Sequence, residues 1–476
     1  MTELPDDPLL DHDGLGLAAL VRNGEVTPTD LLDATMARVE RLDGTLNAVI
    51  LDCADRAREH AGRVDPSTPF AGVPTFLKDL VDLEGTVRTD GSRSMQGNVS
   101  TASPAWVKAA EAAGLVMAGK TNTPEFASMT VTDNAVFGPT LNPWNPDLSA
   151  GGSSGGAAAA VAAGYTPVAH GTDGGGSNRI PASWCGVFGM KPSRGRLASG
   201  DVDGVHPIFK THLALSRSVR DNAAVFLATQ NTDTGPLANP YPHIDTIPGL
   251  QDRRLRVALT LQGPFGDLPD PAIRAAVEDT ARLCEALGHE VVPVDNPVDG
   301  EEFYAMYSGI FLSRTIGMIQ MLEKASGLPI EESGLLTRCT IDFVRSGDLL
   351  PEGTAATAEA ARVGLEAHMA GFFADHDVWL TPVTAGMPIT PESWASSDPF
   401  DKDRSQLSMG SLPIANAIGG PGMSVPLWWD DASGLPVGSH FSAAPGADEM
   451  LYALAFQLET ARPWAGRWAP TSAKYL

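Results

Sequence analysis

Two clusters of glycine and serine are the residues of this chain best placed to do chemistry. The first is Gly151-Gly152-Ser153-Ser154-Gly155-Gly156 and the second is Asp173-Gly174-Gly175-Gly176-Ser177-Asn178-Arg179. Between them, residues 157–163 are alanine and valine, which favour helix. A helix opening directly after GGSSGG turns its free N–H groups back toward the serines. Residues 166–170 are short and apolar enough for a buried strand. The triple glycine then allows backbone conformations closed to other residues, so that successive N–H groups can converge on one point, as an oxyanion hole requires. A flexible Gly/Ser linker would not enclose an apolar helix–strand pair or carry Asp173 and Arg179 beside its glycines. A phosphate cradle is the stronger rival, because glycine-rich turns before helices bind anions. Neither cluster ends in Lys-Ser or Lys-Thr, however, and neither fits the dinucleotide fingerprint.

A serine hydroxyl is a weak nucleophile until a base takes its proton. Lys78 ends the apolar run Phe70-Ala71-Gly72-Val73-Pro74-Thr75-Phe76-Leu77. Two readings fit it. It is a strand-end lysine whose stem lies on the core while its ammonium reaches water, or a buried lysine whose lowered pKa lets it act as a base. The stretch itself does not choose between them.

The elements that must position these residues are set by a chain of 476 residues, 43% apolar and 19% charged, a globular composition rather than a disordered one. The net charge of −25 disfavours a nucleic-acid partner, whose phosphates would be repelled. The four cysteines, Cys53, Cys185, Cys284 and Cys339, show no C-x-x-C spacing. They point away from a metal or redox motif and toward reduced, mostly buried thiols in a cytoplasmic setting. The N-terminal MTELPDDPLLDHDG lacks a basic region followed by an apolar run, so no secretory signal is read there. No stretch has the apolar length of a membrane span.

Residues 15–21 predict a helix. Thr27-Pro28-Thr29-Asp30 starts a second, in which Leu31, Leu32, Thr35, Val39 and Leu42 recur at helical spacing. Residues 47–51 predict a strand, 53–62 a short helix, 106–114 a helix closed by Gly114, and 115–119 a strand. Residues 137–146 read as a rigid turn-rich loop and 186–192 as a strand. Further on, residues 255–259, 270–287 and 290–294 read as a β-α-β unit. Residues 301–373 are mainly helical and rich in Phe, Tyr and Met, groups more often found in a core than lining a pocket. Residues 378–380 predict a strand, 423–438 a hairpin region and 448–459 the last helix. No internal repeat or low-complexity linker divides the chain.

The motifs GVPTFLKDL, GKTNTPEF, NPWNPDLSAGGSSGG, GTDGGGSNRIPAS, GMKPSRGR and GLPVG together resemble the amidase signature family of hydrolases. The resemblance covers nearly the whole chain and is strongest over residues 69–196. Lys78 to Ser153 is 75 positions and Ser153 to Ser177 is 24, intervals that suit the family. It implies an α/β fold: one domain over residues 1–476, a mixed twisted sheet covered by helices, with a signature core at about 69–196 and a variable substrate-side region at about 250–375. It also implies a catalytic triad of Lys78, Ser153 preceded by a cis peptide bond, and nucleophilic Ser177. A neutral lysine takes the place of histidine, as in other Ser-Lys hydrolases. The oxyanion hole would be the N–H groups of Gly174, Gly175, Gly176 and Ser177. Asp173 and Arg179 would hold the loop as an ion pair, Asn122 and Glu125 would support the site, and Ala127 and Met129 would line the substrate pocket. The chain departs from the pattern at Gly174, commonly larger, at Asn178, commonly apolar, and at Ser439-His440-Phe441, where glutamine is usual.

The function implied is hydrolysis of a C–N bond through an acyl-enzyme, without metal or cofactor. The partner is a small-molecule amide, anilide or carbamate, with no nucleic acid and no membrane, and the protein is a monomer or homodimer. TNTPEF, NPWN, VAHG, RIPAS and KPSRGR lean toward the branch of nylon-oligomer cyclic-dimer hydrolases, aryl acylamidases and urethane-cleaving amidases. Cyclic-amide hydrolysis, the glutamine-hydrolysing subunit of a tRNA-dependent amidotransferase, and a non-catalytic binding protein on the same scaffold are the alternatives. The acidity argues against the amidotransferase subunit, and the intact Lys-Ser-Ser set argues against the binding protein.

Overall fold

Helix α1 (Gly14–Arg22) is followed by α2 (Pro28–Leu46), which Thr27 starts as its sequence demands. The Thr27 hydroxyl accepts the Asp30 N–H while the Asp30 carboxylate accepts the Thr27 N–H, and Pro28 sits where no N–H is needed. The structure is a computed structural model that describes residues 7–199, 208–233, 238–250, 253–392 and 409–475. Next come β1 (Val49–Asp52), α3 (Ala54–Ala61), β2 (Pro74–Lys78), α4 (Ala105–Ala112) and β3 (Val116–Thr121). The strands form a three-stranded sheet, β1-β3-β2, in which β2 is parallel and β1 antiparallel to β3. The loop expected at 137–146 contains a small hairpin, β4 (Leu141–Asn142) and β5 (Asn145–Ser149). The Asn142 carboxamide closes its turn by accepting the Trp144 N–H at 2.9 Å.

After the first serine cluster come α5 (Gly155–Ala162), β6 (Val168–Asp173), α6 (Arg179–Cys185), β7 (Phe188–Lys191), β8 (Thr211–Ser216) and α7 (Val219–Ala228). Every residue of α5 is buried. A helix apolar on all sides belongs in a core, and alanine lets α5 lie close between β2, β3, β6 and β8. The sequence reading missed α6, β8 and α7. The proline of RIPAS argues against helix, yet Pro181 stands in the first turn of α6, where its missing N–H has no partner to lose.

The expected β-α-β unit is β9 (Arg256–Leu259), α8 (Pro271–Ala286) and β10 (Glu290–Pro293), with β9 and β10 parallel. A helical region follows: α9 (Gly300–Ser313), α10 (Met318–Ser326), α11 (Ile330–Ser333), α12 (Arg338–Asp348) and α13 (Thr354–Asp375). The chain closes with β11 (Val378–Pro382), α14 (Leu412–Ala417), the antiparallel pair β12 (Gly422–Trp429) and β13 (Pro436–Ser442), and α15 (Asp448–Ala461). Eight strands make one mixed sheet in the order β10-β9-β11-β13-β12-β7-β8-β6. Its main core packs Phe188, Met190, Met423, Val425 and Phe441 against Tyr452 and Leu454 of α15. No helix among the described residues is long and apolar enough to cross a membrane.

Side chains join the two sheets at β2 and β6. The Thr75 hydroxyl donates to the Val168 carbonyl at 2.8 Å, the Thr166 hydroxyl to the Pro74 carbonyl at 2.5 Å, and the Lys78 N–H to His170 Nδ1 at 3.3 Å. This seam carries Lys78 to the strand that precedes Ser177. Thr75→Val, which keeps the shape and removes the hydroxyl, is expected to cost about 1 kcal/mol in chemical denaturation. It should also lower turnover, because Lys78 ends the loosened strand. An unchanged midpoint and unchanged turnover would show that the seam does not depend on this bond.

Candidate active site

Lys78, Lys120 and Lys191 are all fully buried, and their partners tell them apart. Lys120 faces the Asp79 carboxylate at 3.3 Å and the Val81 and Val87 carbonyls at 3.2 and 2.7 Å. Lys191 donates to the Pro192 carbonyl at 2.8 Å, and burial, with Arg179 nearby, pushes its pKa down to about 7. Lys78 Nζ meets hydroxyls: Ser153 Oγ at 2.7 Å, Ser154 Oγ at 3.0 Å and Thr172 Oγ1 at 3.1 Å. Burial of the amine without a carboxylate in contact pushes its pKa well below the ordinary lysine value. Of the two readings of Lys78, the snorkelling one is therefore wrong.

The three hydroxyls come from three local geometries. Ser153 follows a cis Gly152–Ser153 peptide. A Cβ on Gly152 would lie 2.8 Å from the Val131 carbonyl carbon, so only glycine fits there. Ser154 caps the entry to α5, and its N–H donates to the Ser177 carbonyl at 3.1 Å, tying the two serine clusters together. Its Oγ lies 3.1 Å from both the Thr172 carbonyl and Asn178 Oδ1, so the polar Asn178 has a buried partner. Thr172 comes from β6. Ser177 lies one turn beyond that strand and lines the same cavity as Ser153 and Thr172.

The N–H groups of Gly174, Gly175 and Ser177 take no protein partner among the described residues. The Gly176 N–H, expected with them, is instead donated to Asp173 Oδ1 at 2.8 Å. The loop folds back over the aspartate three residues upstream, which removes Gly176 from the set of converging donors. Its φ of 127° and a Cβ position 2.7 Å from Leu412 Cδ1 explain why glycine is required there all the same.

Asp173 and Arg179 form the expected ion pair, fully buried and two-pronged at 2.9 Å. The guanidinium also donates to the Leu412 carbonyl at 3.0 Å, Asn416 Oδ1 at 2.7 Å and His440 Nε2 at 3.0 Å. Burial alone would raise the Asp173 pKa, but the guanidinium holds it well below the carboxylate range. His440 is kept neutral by burial and by Arg179, so its Nε2 accepts. Asn416 and His440 lie more than two hundred residues from Arg179, and no local motif marks their part in this cluster. Asn122 and Glu125 do not line the cavity. The Asn122 carboxamide ties Asn134 at 2.7 Å and the Gly138 carbonyl at 3.0 Å. Glu125 accepts the Thr337 N–H at 3.0 Å and the Thr337 hydroxyl at 2.7 Å, capping α12.

The serines open onto a cavity of about 230 Å³. Ala127 and Met129 line it, as expected, with Phe126 beside them. Tyr304, Tyr307 and Phe311 of α9 and Phe343 of α12 line it too. Part of the helical region is therefore wall rather than core, whereas Phe303 and Met306 are core. The spacing of 304, 307 and 311 marks one helix face, but spacing does not say what that face meets. Lys210 is the one charged side chain among the described residues of the lining, and it had no sequence signal.

Asp173→Asn leaves the buried guanidinium without a counter-charge and is expected to destabilise the fold by about 3–5 kcal/mol. The Asp173 pKa is lowered on folding, so its contribution is complete above the unfolded carboxylate pKa and is lost as pH falls through and below that range. Melting curves taken from neutral pH into acid should show this component in the wild type and not in Asp173→Asn.

The amidase family matches residues 30–452. The 6-aminohexanoate-cyclic-dimer hydrolase of Paenarthrobacter ureafaciens is 35% identical over 479 residues, covering 96% of each chain. A solved structure of 6-aminohexanoate cyclic dimer hydrolase superposes with a TM-score of 0.89 at 31% identity, over 97% of this chain and 99% of that one. A bacterial aryl acylamidase structure gives 0.88 at 27% identity, over 97% and 100%. With its serine clusters, buried lysines and α/β fold in place, the chain belongs to the amidase signature family and is an enzyme that hydrolyses amide C–N bonds.

Proposed function

We propose that this amidohydrolase works through an acyl-enzyme on Ser177 and takes bulky or aromatic amides, anilides and carbamates. The observation that carries the mechanism is the Lys78 amine, fully buried and 2.7 Å from Ser153 Oγ, because Ser153 lines the same cavity as Ser177. A lysine whose pKa is depressed by burial is neutral at accessible pH and accepts a proton. Ser177 Oγ attacks the carbonyl carbon, and its proton passes through Ser153 to Lys78. Converging N–H groups of Gly175 and Ser177, with Gly174 beside them, hold the negative oxygen. The proton returns to the leaving nitrogen, the C–N bond breaks, and water releases the acid from Ser177. A carbamate forms the same tetrahedral centre: loss of its amine leaves a carbonate ester on Ser177, and the carbonic half-ester that water releases breaks down unaided to carbon dioxide and the alcohol.

The relatives named for a cyclic amide dimer and for aryl amides support the amide and anilide part of this reading. The wall of Phe126, Tyr304, Tyr307, Phe311 and Phe343 supports a bulky apolar substrate rather than glutamine. In this reading, residues 69–196 supply the chemistry and α9 and α12, from the 250–375 region, supply the wall.

Ser177→Ala is expected to fold normally and to lose at least a thousandfold in kcat, roughly what removal of a hydrolase nucleophile costs. For the wild type, kcat/KM should rise with pH through a titration below the ordinary lysine range, because neutral Lys78 is the active form. A flat profile, or a Ser177→Ala enzyme near wild-type rate, would remove the mechanism.

Substrate size is tested at Gly174. A Cβ there meets nothing within 4 Å, and Gly174 lines the cavity. Gly174→Val should therefore fold and lose activity on a nitroanilide and on a dicarbamate of an aromatic diamine by about tenfold or more, a loss of about 1.4 kcal/mol. It should spare small aliphatic amides. Equal losses on all three would refute the size reading, and turnover of acetamide or glutamine alone by the wild type would refute the substrate class.

A further inference from the structure

Tyr307 stands on α9, outside every signature motif, yet its hydroxyl donates to the Gly174 carbonyl at 3.1 Å. Its ring is held by Phe303, stacked at 5.8 Å between centroids, and by Phe209 at 4.9 Å and Phe311 at 6.1 Å. The Gly174 carbonyl and the Gly175 N–H belong to one peptide group. In a planar trans peptide they point in opposite directions. Whatever fixes the carbonyl therefore fixes the N–H. A Cβ on Gly175 would run into the Tyr307 hydroxyl, so the phenol lies directly on this peptide. Fixing a carbonyl by a hydrogen bond also polarises the amide and strengthens its N–H as a donor.

We propose that Tyr307 is a positioning residue for the oxyanion hole: it holds the Gly174–Gly175 peptide so that the Gly175 N–H faces the developing oxyanion. The inference rests on Ser177 as nucleophile. It gives the substrate-side helix a direct hold on the catalytic loop, besides its share of the cavity wall. Burial raises the Tyr307 pKa above the ordinary phenol value, so the hydroxyl stays a donor into alkaline pH.

Tyr307→Phe removes one oxygen and keeps the stacked ring. Loss of a direct oxyanion donor costs about a hundredfold or more in kcat, so loss of the group that aims one is expected to cost about tenfold, with KM within about twofold. A trifluoromethyl ketone, whose hemiketal adduct with Ser177 carries an oxyanion, should lose affinity by the same factor, while the product acid should bind as before. Tyr307→Met, which also lacks the hydroxyl, is the second variant should the first prove unstable, and the same loss of kcat is expected. Unchanged kcat, or a rise in KM alone, overturns the proposal and leaves Tyr307 a wall residue. Mass-spectrometric detection of a fluorophosphonate adduct on wild-type Ser177 separates the two levels. An unlabelled Ser177 removes the acyl-enzyme reading and this inference together, whereas a labelled Ser177 with unchanged Tyr307→Phe kinetics removes this inference alone.

Discussion

An amine taken out of water with hydroxyls for company is the constraint around which this protein is arranged. Burying an ammonium costs several kcal/mol unless an opposite charge or good acceptors offset it. Lys120, beside Asp79, shows a partly compensated case in the same part of the fold: the carboxylate opposes burial, which still lowers the lysine's pKa. Lys78 has no carboxylate in contact, so its charged form is disfavoured and its neutral form gains. Keeping it so requires β2 to be sealed on both faces. The alanine-rich α5 seals one side, and the seam with β6 seals the other.

A few residues away the protein solves the opposite problem. Arg179 keeps its charge in full burial because Asp173, Asn416, His440 and the Leu412 carbonyl answer its donors. Such a fully satisfied network is rigid, since breaking any member leaves a buried polar group unpaired. The glycine loop hangs from it, with the Gly176 and Asn178 N–H groups both bound to Asp173. A chain of glycines would otherwise be the most flexible part of the molecule. Anchored at Asp173, it becomes a fixed platform from which Gly174, Gly175 and Ser177 line the cavity.

The helical region is fastened to residues 69–196 by polar contacts as well as by apolar packing. Glu125 caps α12, and the Tyr307 hydroxyl meets the Gly174 carbonyl. The smaller apolar cluster of α10 to α12, built on Ile319, Ile330, Leu336, Ile341 and Val344, has Phe126 packed against it, so the cavity wall and the helices share side chains. In the proposed mechanism, variation in this region alters both the wall that meets the substrate and the hold on the catalytic loop.

The serine clusters and most helices and strands were legible because they depend on local spacing, while the fold class came with the family resemblance. Alanine runs make helices, apolar runs make buried strands, and Thr27-Pro28-Thr29-Asp30 starts a helix wherever it stands. The resemblance also placed Lys78, Ser153, Ser177, Asp173 and Arg179, and the structure brings them together. The chain order did not reveal which buried lysine meets hydroxyls, that the Gly176 N–H belongs to Asp173, or that Asn416 and His440 complete the guanidinium's partners. Nor did it show that Tyr304, Tyr307 and Phe311 face a cavity while Phe303 and Met306 face a core. The sequence by itself determined which residues are chemically capable and which backbone shapes they allow. Only the tertiary structure decided their partners, because desolvation and hydrogen-bond pairing depend on groups separated by up to two hundred and sixty-one positions, as Arg179 and His440 are.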